Sequence, residues 1–194
     1  MLDRSSATEE IQFDRDIFLE AIHHICARCD PQALGRVKLH KILYFADMLH
    51  YVADGRPLTG EEYQKQKFGP VAKHLSWALK ELSRQGRIRL ATSDYYGFPK
   101  LEVQATQVPR PDRLDDRDVS LLDEVADFVC GHSAKEISDL SHNAAWQVAE
   151  MGETIPYFTA LGLFPAEVTD DDVTWGVEEG RRLRPLLSGA GNAG

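Results

Sequence analysis

A chain of 194 residues with 31 Asp and Glu against 22 Lys and Arg carries a formal charge of −9. That balance argues against a protein that coats nucleic acid, because phosphate binding rests on a surplus of cations. The length suits one domain with a real core, no apolar run approaches the roughly 18 residues of a membrane span, and Met1 to Glu10 is too polar for a signal peptide, so a cytoplasmic protein is expected.

Asp14 to Arg28 reads as a first helix, with Ile17, Phe18, Ala21, Ile22 and Ile25 as its buried stripe. Asp30 and Pro31 break it and can cap a short turn. A central helix follows from about Val37. In it Leu39, Ile42, Leu43, Ala46, Leu49 and Ala53 share one face, and Phe45, Met48 and Val52 add a second stripe. So wide an apolar surface predicts packing partners on two sides. Gly55 fits the C′ position, and Arg56 and Pro57 oppose continuation. Gly69 and Pro70 read as the start of a third helix, since proline suits a first helical residue. That helix should end near Gly86 with Val71, Leu75, Ala78, Leu79 and Leu82 inward.

Arg87 to Leu90 and Leu101 to Ala105 alternate with period two, so both read as strands of a small hairpin after the third helix. Helix followed by hairpin is the order of a winged helix. Val108 to Asp118 reads as a surface linker. Val119, Leu122, Val125, Ala126 and Val129 then mark a helix closed at Gly131, and Ser133 with Glu136 fits a capping box ahead of a short helix carrying Ile137 and Leu140. Pro156 should open a segment through Tyr157 to Leu161. Thr169 with Asp170, Asp171 and Asp172 opens a last helix reaching about Leu187, and Ser188 to Gly194 is expected to be a disordered tail. The fold class expected is mainly α, of the α+β kind: a single domain over 1–187 with its central motifs in 37–105 and a helical part in 119–187.

Charge is uneven along the chain. From Arg36 to Leu90 eleven Lys and Arg meet five Asp and Glu, a local +6 that leaves −15 elsewhere. A basic face on an acidic body suits docking to an acidic partner. Lys38, Lys41, Tyr44 and Asp47 share one side of the central helix. Two readings stand level: a solvated face with a Lys to Asp contact, or a binding face with an aromatic anchor. Tyr95, Tyr96 and Phe98 at the hairpin tip either form an exposed patch for a partner or pack on the domain's own helices. Cys26 and Cys29, with His23 and His24 one turn upstream, have the spacing of a metal or redox pair. They lie on a helix with only Cys130 elsewhere, so core and rim positions with reduced thiols are expected.

Asp139, His142 and Trp146 follow helical spacing. An Asp to His contact there could orient an imidazole, but with no nucleophile in view a buried hydrogen-bonded pair is the reading. The chain has no H-E-x-x-H pair, no Gly-rich phosphate loop and no nucleophile elbow. No catalytic residue, metal or cofactor is therefore assigned.

The run from Lys38 to Asp47 (KLHKILYFAD), then Gly55 to Thr59 (GRPLT), then Lys67 to Val71 (KFGPV), resembles the Panacea domain, also called the SocA-like antitoxin domain. Ile137 to His142 (ISDLSH), Trp146, and Gly152 to Pro156 (GETIP) are similar to its C-terminal part. The resemblance implies a non-enzymatic bacterial or phage antitoxin that binds a cognate protein toxin encoded beside it. Neutralisation would come by direct binding, or by acting as a proteolytic adaptor that delivers the toxin to ClpXP. What carries over is the motif itself: Lys38, Lys41, Tyr44, Asp47, Gly69, Pro70 and Val71, with His142 and Trp146. With the helix-face reading above, the first four join Tyr95, Tyr96 and Phe98 as expected partner contacts, and the rest are scaffold. A second function class is a winged-helix-like DNA-binding autoregulator of its own operon, with Lys73, Lys80, Arg84, Arg87 and Arg89 on phosphates.

Overall fold

The computed structural model describes residues 11–95 and 97–163. Helix α1 spans Arg15–Arg28 and starts where the Asp14 carboxylate accepts from the amides of Asp16 and Ile17. Phe18, Leu19, Ala21, Ile22 and Ile25 are buried, as their spacing requires, while Ile17 is only partly covered. Helix α2 spans Pro31–Asp54, which begins six residues before the expected start. Asp30 caps it and Pro31 takes the first turn, so this pair opens a helix where a break was expected. The extension is possible because the helix bends at Gly35, whose φ of 59° and ψ of 164° are not helical. Gly55 closes α2 in the left-handed region at φ 72°, the C′ role expected of it.

Leu39, Ile42, Leu43, Ala46 and Met48 are buried, but Leu49 and Ala53 at the end of the stripe are exposed. Helix α2 is the centre of the fold and touches α1, two further helices, strands from both sheets and a C-terminal 3-10 turn.

The largest departure from the sequence reading follows it. Gly69 and Pro70 start no helix. They lie in strand β2 (Gly69–Ala72), which pairs antiparallel with β1 (Tyr63–Gln66) through a turn at Lys67 and Phe68. Helix α3, Leu75–Arg84, begins five residues after Pro70. Proline is tolerated because β2 is the edge of this ribbon: the other side of β1 meets the segment around Glu153 and Thr154. Leu75, Ala78, Leu79 and Leu82 are buried as expected, whereas Val71 is half-buried.

Strands β3 (Ile88–Tyr95) and β4 (Phe98–Ala105) form the expected hairpin after the third helix and run to within two residues of its tip. Helix α4, Asp116–Gly131, opens on a capping box between Asp115 and Asp118. Helix α5, Ala134–Ser141, opens on the capping box of Ser133 and Glu136. Ile137 is buried there, but Leu140 faces outward, contrary to expectation. The short α6, Ala144–Val148, and the 3-10 turn Tyr157–Leu163 complete a mainly helical α+β fold with two small antiparallel sheets. The expected last helix and tail lie outside the described residues. Among the described residues no helix is long and apolar enough to cross a membrane.

Candidate functional site

Most polar residues in the middle of α2 point into the protein, while Gln32, Arg36 and Asp54 near its ends are exposed. Lys38, Lys41, Tyr44 and Asp47 were expected on a solvated or binding face, yet each is buried, Lys41 at 1% exposure and Tyr44 and Asp47 at 0%. The physical reason is the β1–β2 hairpin, which covers this side of the helix and supplies backbone groups that need partners. Lys41 Nζ donates to the Pro70 carbonyl at 2.7 Å, and the Ala72 amide donates to His40 Nδ1 at 3.0 Å. Lys38 reaches the other way and donates to the Cys130 carbonyl at 3.2 Å.

Asp47 is the hub. One carboxylate oxygen accepts from the Thr59 amide at 2.6 Å, and the other from the Thr59 hydroxyl and the Tyr63 hydroxyl, both at 2.6 Å. Tyr157 stands 3.3 Å away and donates to the Glu61 carbonyl at 2.6 Å. The buried Glu61 carboxylate in turn accepts from the His74 amide at 3.1 Å and faces its ring. One acid on α2 thus gathers the α2–β1 loop, β1 and the 3-10 turn. Sequence reasoning assigned no role to Thr59, Glu61, Tyr63 or Tyr157. Only Thr59 stood in a quoted motif.

Burial dominates the electrostatics here. It raises the Asp47 carboxyl above its usual range even though Thr59 and Tyr63 pull the other way, and it raises Glu61 against the opposing pull of His74. It also pulls the Lys41 amine down to about 7 and His40 down to about 3, and pushes the Tyr44 hydroxyl up to about 12. Lys41, His40 and Asp47 thus make a buried clamp of hydrogen bonds on the hairpin and its approach, beside the Tyr44 hydroxyl, which is buried without a hydrogen-bond partner among the described residues.

Gly69 belongs to that clamp. At φ 89° it turns the chain between the strands, and a Cβ there would lie 2.2 Å from Ser141 Oγ and 2.8 Å from Lys41 Nζ. Ser138 Oγ donates to the Phe68 carbonyl at 3.1 Å, which ties α5 to the same turn. Trp146 Nε1 donates to the Gln66 carbonyl at 3.3 Å, and Lys65 stands 4.1 Å from the Trp146 ring. Above this support the Phe68 side chain projects, 64% exposed, with Lys67 5.5 Å from its ring. Val148 at 68% and Met151 at 58% are exposed on the chain that follows Trp146.

The other candidates separate. Asp139 pairs with Lys135 at 2.6 Å and makes no side-chain bond to His142, whose ring lies on Trp146 with centroids 4.2 Å apart. Helix α5 ends before His142, so the helical spacing that linked Asp139 to it does not hold. His23 bonds the Gln107 carbonyl and Arg87, and His24 bonds Asp123, so neither histidine joins Cys26 and Cys29. Among the described residues no three His, Cys, Asp or Glu side chains cluster as metal ligands. Four of the five cations proposed for phosphates have intramolecular partners: Lys73 with Glu62, Arg84 with Glu81, Arg87 with His23 and Arg89 with Gln104. Tyr95 and Phe98 pair across the end of the second hairpin by backbone register. The side chains of Tyr95, Tyr96 and Phe98 lie outside the described residues.

The family model described as antitoxin SocA-like, Panacea domain, matches residues 39–147. No curated protein and no solved structure matches the chain. The match covers the clamp on α2, the β1–β2 hairpin it holds, and the α5 and α6 residues that support the turn.

Proposed function

Because the chain belongs to the antitoxin SocA-like family with the Panacea domain, we propose that it neutralises a protein toxin by direct contact through the surface around the β1–β2 turn. The observation that carries this reading is Phe68, a large apolar side chain left outside on a turn whose strands and carbonyls are held from within. A preorganised anchor loses little entropy when it docks, so more of its burial appears as affinity. Lys67 beside the ring and Lys65 over Trp146 give the patch a positive edge. Charges at such a rim set encounter rate and register more than affinity. Lys41 and Asp47 serve this surface from below through hydrogen bonds to the hairpin, and Tyr44 through its ring contact with Tyr63, whereas Lys38 is tied to α4. Delivery of the bound toxin to ClpXP is the finer form of the same reading.

The test is co-purification of the protein with the product of the adjacent gene, together with rescue of cells expressing that product. Phe68→Ala is expected to keep the wild-type Tm and to weaken binding at least about tenfold, the scale of one apolar hot spot. Wild-type affinity and rescue in that variant would reject the turn as the contact. A toxin half-life that falls only when both this protein and ClpXP are present would identify the adaptor branch.

A further inference from the structure

Cys29 and Cys130 are separated by 101 residues in sequence, yet their sulfurs are 3.2 Å apart. Cys29 is the C-cap of α1, and Cys130 is the next-to-last residue of α4. Both thiols are free. A disulfide needs its sulfurs at about 2.0 Å, so closure asks for a displacement of about an ångström. The two sulfurs differ in their surroundings. Cys29 is buried and Cys130 is partly exposed. The hydrogen bond with Cys29 and the nearby Lys38 and Arg28 cations pull the Cys130 thiol down to about 7, against burial and the Asp127 carboxylate. Cys26, one turn back on α1, is pushed up to about 12 by burial and stays a thiol. A surface cavity of about 760 Å³, lined by His24, Cys26, Cys29, Gln107 and Asp123 among others, opens beside Cys29, while Cys130 lies outside that lining and is reached through its own partial exposure.

We propose that Cys29 and Cys130 are a dithiol site that a hydroperoxide converts to a reversible intramolecular disulfide joining the end of α1 to the end of α4. The Cys130 thiolate attacks one peroxide oxygen, the O–O bond breaks, and the departing oxygen takes up a proton. Cys130 becomes a sulfenic acid. The Cys29 thiol then gives up its proton as its sulfur attacks the Cys130 sulfur, the S–O bond breaks, and the hydroxide leaves with that proton as water. With hydrogen peroxide, two thiols lose two electrons and two protons, and the peroxide is reduced to two waters. Lys38, which donates to the Cys130 carbonyl and helps favour the thiolate, also belongs to the α2 run that carries the clamp. Oxidation therefore ties α1 and α4 together beside the helix on which the hairpin rests.

The experiment treats the full chain with graded hydrogen peroxide and maps its peptides without reduction. The expected result is loss of two of the three thiols, a cross-linked peptide pair containing Cys29 and Cys130, a raised Tm, and restoration of all three thiols by dithiothreitol. Cys26→Ser should still form the bridge, and Cys130→Ser should not. In Cys29→Ser a sulfenic acid trappable by dimedone should persist at Cys130. The proposal is overturned if Cys130 passes to sulfinic acid while Cys29 stays free, if the bridge joins two chains, or if all three thiols survive peroxide that oxidises free glutathione.

Discussion

Lys41 illustrates how a surface-type residue is put to use inside. The residue is 1% exposed, and its amine donates to the Pro70 carbonyl and is pulled down to about 7 from 10.5 by burial. Between those values the unfolded chain binds the proton more readily than the folded one. Stability therefore rises with pH from about 7 to about 10, at up to about 1.4 kcal/mol per pH unit, and is lost as pH falls toward 7. Lys41→Met keeps much of the buried stem and removes the titration. The stability of the wild type relative to this variant, from urea unfolding at three pH values from about 7 to about 9, is expected to grow with pH. Parallel profiles would mean that Lys41 keeps its ordinary proton affinity in the fold. The same burial makes Tyr44 and Lys41 poor targets for probing a partner surface, since truncating them opens the core.

At the scale of elements, the β1–β2 hairpin decides how the motif residues are to be read. Two strands of four residues have little stability alone. This pair persists because α2 supplies Lys41, His40 and Asp47 to its backbone and side chains, and α5 supplies Ser138 and Ser141 at its turn. Gly69 is the position where these elements approach most closely. Gly69→Ala requires a left-handed φ and meets Ser141 and Lys41, so it is expected to lower stability by at least about 2 kcal/mol, read as a fall in urea midpoint at unchanged m-value. A cost below about 0.5 kcal/mol, the range of a neutral surface change, would show that the turn has room to relax. Capping signals, by contrast, were legible in part. Ser133 with Glu136 and Gly55 act where the sequence put them, while the caps of Asp30 and Asp115 stood in segments read as a break and a linker. Their physics is confined to a few consecutive residues.

For the molecule as a whole, the net charge and the local basic run point to opposite expectations for DNA. Part of the +6 between Arg36 and Leu90 is withdrawn from the surface, since Lys38 and Lys41 are inside, while Arg87 and Arg89 hydrogen-bond the uncharged groups of His23 and Gln104. Helix α3 followed by β3 and β4 keeps the order of a winged helix, but Lys73 and Arg84 there are paired with Glu62 and Glu81, and the chain as a whole carries −9 against a polyanion. Duplex DNA carrying the chain's own promoter is therefore expected to show no mobility shift at about 0.15 M salt, where the Debye length is about 8 Å. A shift that vanishes steeply with added salt would restore the autoregulator reading.

The sequence by itself determined most of the helical stripes, the Ser133 and Gly55 caps, the second hairpin and the family, because apolar periodicity, capping and motif order are local properties of consecutive residues. Tertiary structure alone decided where polar groups went. Nothing near Lys38, Lys41, Tyr44 or Asp47 in sequence separates a wet face from a buried one, since their partners Cys130, Pro70, Thr59 and Tyr63 arrive from other segments. Gly69 and Pro70 carried a helix-start signal that the pairing of β2 with β1 overrode. The meeting of Cys29 with Cys130 across 101 residues likewise follows from the packing of α1 on α4, which no local pattern encodes.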